Sequence, residues 1–235
     1  MTFTKWTQPN PPHKPIPILL KDEIITGLLL GDAYISRHVI NKGNSRIGIG
    51  QSPLHKEFLD KIAEYFLDLG VGTTLRRYIG LNKTVNKIYT TYYLITQKNP
   101  TFTQMYHTWY PEGKKIIPQD LIITPKILSF WFMCDGSSHW HNKGNSVDLQ
   151  ISTAGFTESD VRLLNEKLHR LNLDFNIFNK AKKYWILRTS SQKNNERFIN
   201  IVEPYIIPCF RYKIKHIPKF NPELKLTVKS ARFKK

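Results

Sequence analysis

Apolar positions recur along this chain in blocks that switch between helical and strand periodicity, and the blocks occur twice. Residues 22–35 form an apolar run with an acidic start that passes through Gly31-Asp32, and residues 125–136 form a second that closes on Cys134-Asp135-Gly136. The two aspartates stand 103 positions apart. Each run is followed by a short alternating stretch, residues 46–51 (Arg-Ile-Gly-Ile-Gly-Gln) and 147–152 (Val-Asp-Leu-Gln-Ile-Ser), the pattern of a half-buried strand. Leu59, Ile62, Phe66 and Leu69 then match Val161, Leu164, Leu168 and Leu171 at an offset of 102, each set tracing one face of an amphipathic helix. Thr157-Glu158-Ser159-Asp160 supplies a cap for the second of these helices.

Further strands are predicted over 73–79 and 88–96 in the first half, and over 175–179 and 184–189 in the second. A helix follows in each, at 101–109 and 195–205, and then a lysine-bearing stretch ending in Ile-Pro, at 115–118 and 213–218. The order helix, strand pair, helix, strand pair, helix thus occurs twice, as in a duplicated α+β unit of antiparallel strands. The expected division is a proline-rich extended arm over 1–17, a first half over 18–120, a second over 121–220 and a basic tail over 221–235.

Charge narrows the class of partner. Lys and Arg total 35 against 18 for Asp and Glu, a net +17 spread over the whole chain, which favours a polyanion whose condensed counterions are released on binding. No apolar run is long enough to cross a bilayer, and no basic amphipathic helix suited to a membrane surface stands out. The first ten residues lack the apolar core of a secretory signal. Cys134 and Cys209, 75 positions apart, are expected to be buried thiols rather than a disulfide or zinc site. His139-Trp140-His141 is read as a loop after the second apolar run, lacking the further ligands a metal site needs.

Gly27 and Gly31, four apart, give the first run a smooth stripe on which another helix can lie close. Two such helices side by side bring Asp32 and Asp135 together, and crowded carboxylates repel unless a divalent cation lies between them. At this point Ile25-Thr-Gly-Leu-Leu-Leu-Gly-Asp-Ala33 and Leu128-Ser-Phe-Trp-Phe-Met-Cys-Asp-Gly136 resemble the nine-residue LAGLIDADG motif of the homing endonucleases. The resemblance extends over about residues 20 to 220 and is nearest to the single-chain, two-motif, yeast mitochondrial intron type. Phe130 stands where the motif has glycine, and Leu30 and Met133 stand where it has its other acidic residue.

The resemblance implies two pseudo-symmetric αββαββα halves with saddle-shaped sheets and a central two-helix interface. It implies a monomeric, metal-dependent endodeoxyribonuclease that cuts both strands of a long asymmetric duplex, leaving four-base 3′ overhangs. Asp32, Asp135, Gly31 and Cys134 would form the metal centre, for Mg2+ or Mn2+. One lysine per half, Lys115 and Lys213, would join the aspartates in catalysis, with Lys114 the rival for the first site. An organelle-encoded protein is implied, mitochondrial in the first place and chloroplast in the second. Alternation along the strands leaves Thr74, Arg76 and Tyr78 on the face opposite Leu75, Arg77 and Ile79, and Asp148, Gln150 and Ser152 opposite Val147, Leu149 and Ile151. Arg46, Gln51, Arg76, Lys87, Gln150, Asn176, Lys180, Lys182 and Arg188 are the candidates for DNA contact. The alternatives are a maturase acting on host intron RNA and a DNA-binding protein that does not cleave; retention of both aspartates favours the nuclease.

Overall fold

The computed structural model describes residues 16, 20–36, 43–82, 84, 86–141 and 146–215. The predicted N-terminal arm, apart from Ile16, and the predicted basic tail lie outside these residues. Helix α1 (Glu23–Leu30) starts on Asp22, whose Oδ1 accepts the Ile25 N–H at 2.9 Å. The Tyr65 hydroxyl donates to the other oxygen of Asp22. The apolar run then outlasts the helix, because Ala33–Ile35 form strand β1. Strand β2 (Ile47–Gln51), helix α2 (Lys56–Asp68), strands β3 (Thr73–Asn82) and β4 (Lys87–Thr96) and helix α3 (Pro100–Trp109) complete the first half.

The second half repeats the order with α4 (Pro125–Asp135), β5 (Gly136–His141), β6 (Ser146–Ser152), α5 (Glu158–His169), β7 (Asn176–Lys180), β8 (Tyr184–Thr189) and α6 (Gln192–Val202). The expected cap is present: Thr157 Oγ1 accepts from the Asp160 N–H, and Asp160 returns an acceptor to the Thr157 N–H. Residues 139–141, expected to be a loop, are instead the end of β5. They pair with β6 in the register His139↔Asp148 and Trp140↔Val147, where backbone pairing replaces the hydrophobic alternation that their sequence lacks.

Each half contributes one antiparallel four-stranded sheet, ordered β1-β2-β4-β3 and β5-β6-β8-β7. One face of each sheet is apolar: Ala33, Ile49 and Leu94 in the first and Leu149, Ile151 and Leu187 in the second are buried in a core that runs continuously through both halves. The opposite faces stay open.

Helices α1 and α4 form the seam. A Cβ on Gly27 would lie 2.6 Å from Phe130 Cβ and 2.7 Å from the Ile127 carbonyl oxygen, and one on Gly31 would lie 2.3 Å from Cys134 Cβ. Glycine on α1 alone therefore permits close approach, and Phe130 fits against Gly27 without a second glycine. At the far end of the seam Thr124 donates to Glu23 Oε1 at 2.5 Å, and Lys126 Nζ lies 3.4 Å from Glu23 Oε2.

Beyond the seam the halves exchange segments. The stretch after α3 packs on α5: the Ile117 N–H donates to Asp160 Oδ1 at 3.2 Å, and Lys167 Nζ donates to the Gln119 carbonyl at 2.7 Å. The stretch after α6, with a 3-10 helix over Pro208–Lys213, packs on the start of α2. There the Cys209 N–H donates to Glu57 Oε2 at 3.1 Å and the Phe210 ring meets Phe58 edge-on at 5.1 Å. Both cysteines are free and half-buried.

Candidate active site

Asp135 is the last residue of α4, and Asp32 follows α1 by two residues, so the seam carries one carboxylate from each half to its end. Each exchanged segment adds a lysine. Lys115 donates Nζ to the Ala33 carbonyl at 3.2 Å and lies 5.5 Å from the Phe156 ring centroid in the opposite half. Lys213 donates Nζ to the Met133 and Cys134 carbonyls at 2.6 and 3.2 Å, so its ammonium satisfies the open C-terminal carbonyls of α4. Lys114, by contrast, is exposed. The structure brings Lys115, not Lys114, to the aspartates.

The electrostatics follow from gathering half-buried Asp135, Lys115 and Lys213 beside the exposed Asp32. Burial, then repulsion from Asp32, lifts the Asp135 carboxyl from 3.8 to about 7, against the pull of both lysines. Burial pulls Lys115 down from 10.5 to about 8, although Asp135, Cys134 and Asp32 oppose the shift. Lys213 is lowered for the same first reason. The Cys134 thiol is pushed up by burial and by Asp32, and so stays protonated.

A stability consequence is open to measurement. Folded Asp135 holds its proton more tightly than the unfolded chain does, so protein in EDTA loses stability as pH rises from about 4 to 7 and bears the full penalty above that. Asp135→Asn removes a penalty of at most about 4 kcal/mol, partly offset by the attraction it withdraws from the lysines. The variant in EDTA should melt a few degrees above the parent at pH 8 and no higher at pH 4. Equal melting temperatures at pH 8 would contradict the buried-charge account.

Gln51, grouped by sequence with the DNA-contacting residues, lies on the core side of the first sheet. It is 8% exposed and donates Nε2 to Asp32 Oδ2 at 2.6 Å. Its parity with Ile47 and Ile49 was the signal that could have placed it there. Sequence reasoning missed His55 and Tyr212 altogether. His55 Nδ1 lies 3.1 Å from Gln51 Oε1, and its Nε2 lies 3.3 Å from the Tyr212 hydroxyl. Burial, with Lys213 nearby, lowers the His55 pKa. This chain of contacts joins residues from both halves to Asp32 and has no apparent counterpart in the alternating pattern.

The remaining candidates divide by face. Strand register puts Arg76 and Lys87 on the open face of the first sheet, and Arg46 is half-buried just before β2. Gln150, Arg188, Asn176 and Lys180 share the open face of the second sheet. Lys182 lies in the β7–β8 turn at φ 55°.

Two like units in one chain, joined by a helix pair that delivers a carboxylate apiece between two open sheets, define a single-chain, two-motif architecture. The chain belongs to the LAGLIDADG DNA endonuclease family, whose model matches residues 22–195. It is 35% identical over 192 residues to an uncharacterised protein of Methanocaldococcus jannaschii, covering 81% of this chain and 72% of that one. It is 31% identical over 204 residues to a probable intron-encoded endonuclease of Wickerhamomyces canadensis, covering 83% and 84%. Among solved structures, the homing endonuclease I-WcaI bound to its DNA recognition sequence superposes with a TM-score of 0.75 at 28% identity, covering 89% of this chain and 95% of that one.

Proposed function

We propose that the chain is a monomeric, site-specific homing endonuclease that hydrolyses both strands of a long asymmetric DNA duplex with four-base 3′ overhangs, using Mg2+ or Mn2+. The observation that carries this reading is the meeting of Asp32 and Asp135 at the seam, between two half-buried lysines and two open sheet faces. The donor set suits such a cation: two hard carboxylates whose mutual repulsion it would relieve. Among the described residues no cluster of three or more acidic, histidine or cysteine side chains gathers to hold a metal, so phosphate and water oxygens would complete the shell. The Gly31 and Cys134 carbonyls adjoin this centre, and that of Cys134 already accepts from Lys213.

When bound, the cation supplies Lewis-acid stabilisation of charge at the scissile phosphate. The protein does the rest. Gln51 orients the Asp32 carboxylate. Lys115 and Lys213 face developing phosphate charge with ammonium groups already partly stripped of water, where each is worth more than in solvent. With a pKa of about 8, Lys115 can also hold the attacking water or exchange its proton near neutral pH. Arg46, Arg76, Lys87, Gln150, Asn176, Lys180, Lys182 and Arg188 would follow the duplex. The first half is taken to span 18–120 and the second 121–220, and the gene to reside in an organelle, mitochondrial before chloroplast.

The test is a plasmid carrying sites selected from a randomised library. Linear product with Mg2+ and none with EDTA is expected. Binding of the DNA without cutting in Mg2+, or selective binding of structured intron RNA instead, would replace the nuclease reading with one of its rivals.

A further inference from the structure

The two sheets are alike in topology but not in the chemistry of their open faces. In the second sheet one row crosses all four strands as Ser137, Gln150, Arg188 and Asn176, by the pairings Ser137↔Gln150, Gln150↔Arg188 and Asn176↔Arg188. The equivalent row of the first sheet reads Tyr34, Gly48, Ile95 and Thr74. There the hydroxyl end of the Tyr34 ring covers Gly48, its Cζ 2.5 Å from where a Cβ would stand. The second-sheet row carries a guanidinium and two amides, whereas the first-sheet row has no charged or amide group, only the hydroxyls of Tyr34 and Thr74. Both start two residues beyond the catalytic aspartate of their half, so both face the inner end of a half-site.

Arg188 is held on two sides. Its guanidinium forms an ion pair with Asp148 from β6, and on the other side it lies 5.9 Å from the centroid of the Phe178 ring from β7. The Arg188 side chain keeps 43% of its surface exposed, whereas that of Asp148 keeps 9%. Asp148 thus lies beneath the guanidinium and does not itself present an edge to a ligand. A carboxylate this close offsets the cation and repels phosphate, so the pair is poorly suited to anchor a DNA backbone. It suits a different task. A planar fork with five donors, fixed in orientation and with part of its edge free, matches the paired acceptors O6 and N7 of guanine.

We infer that Arg188 reads one guanine near the centre of the target, that Asp148 is its positioning residue, and that the symmetry-related base pair on the first sheet is not specified by a charged group. The inference rests on the endonuclease reading above and adds a specificity determinant to it.

The test uses the full chain and a randomised DNA library, with selected sites compared between parent, Arg188→Ala, Arg188→Lys and Asp148→Asn. The parent should select a guanine at one inner position of one half-site. Arg188→Ala should lose that preference roughly ten- to a hundredfold, leaving the other positions and the slope of log K against log salt unchanged. Arg188→Lys, which keeps the charge but not the fork, should lose it as well. Asp148→Asn should weaken discrimination at the same position and steepen the salt slope, because Arg188 is then an uncompensated cation. A purely structural role for Asp148 would not move one base position selectively. Arg188→Ala weakening all sequences alike, with the salt slope shallower by about 1, would make Arg188 a phosphate contact and overturn the inference. So would an unchanged selection profile. A parent that selects no sequence at all would defeat the endonuclease reading itself, a failure distinct from either.

Discussion

Asp32→Asn is expected to bind the target within about tenfold of the parent, a difference of about 1.4 kcal/mol, while its double-strand cleavage falls by several orders of magnitude. The separation follows from where the group sits. Asp32 lies at the end of the seam, away from the open faces that would carry most of the contact with a duplex. Asparagine keeps the size and an oxygen able to accept from Gln51 Nε2, now 2.6 Å from the carboxylate, but it removes the charge that would hold the proposed cation. Affinity in EDTA should even rise, since a carboxylate facing phosphate is repulsive. The loss belongs to the transition state, where a term absent from the ground state disappears. Asp135→Asn should behave alike by pseudo-symmetry. If both aspartates serve one central cation, neither variant remains an efficient nickase; independent sites would each leave one strand cut. Rates on end-labelled duplex, one label per strand, distinguish these cases. Full double-strand cutting by either variant would remove the aspartates from the active site.

Gly31→Ala should lower the melting temperature by several degrees and depress cleavage by tenfold or more. Gly31 closes α1 directly against α4, and a side chain there has no room. The added methyl carbon would lie 2.3 Å from Cys134 Cβ and 3.0 Å from its Sγ, well inside contact, and two packed helices can separate only as bodies. Overpacking of this kind costs about 1–3 kcal/mol, and any separation also moves the carboxylates apart. The obstacle on α4 is a side chain, so Gly31→Ala combined with Cys134→Gly should recover most of both losses. Gly27→Ala should not be rescued this way, because there the Ile127 carbonyl oxygen is itself 2.7 Å away. Thermal melts and single-turnover cleavage of the three variants decide the matter. A Gly31→Ala protein with parental stability and rate would show that the seam is looser than described.

The repeated αββαββα order was readable from periodicity because six helices and six of the strands carry their own apolar spacing. Strands β1 and β5 did not. Ala33–Ile35 is three residues long and merges with the apolar run before it, and Gly136–His141 is mostly polar and takes its structure from pairing with β6. The aspartates stand out because each closes a recurring apolar block, whereas Lys115 and Lys213 are implied only by the family resemblance, with Lys114 as a rival for the first. Contacts formed only by folding could not be named. His55 and Tyr212 are 157 residues apart in sequence, and nothing along the chain links either to Asp32. Gln51 shares the buried parity of Ile47 and Ile49, and an amide able to read a base edge says nothing of which face it occupies. The ion pair between Asp148 and Arg188 joins neighbouring strands whose alignment is set by register, which sequence spacing does not determine.

The crossing of the two post-helical segments bears on how the molecule is made. Lys115 rests against Phe156 of the later half, and Lys213 reaches back to α4 while its neighbours Cys209 and Phe210 grip α2 of the earlier one. A nascent chain released between residues 135 and 208 would retain both aspartates yet lack Lys213 and the segment that seats it. Ribosomes that stop early would therefore release fragments with no complete centre. A centre that waits for its last-made segment is completed only once both halves have folded against each other.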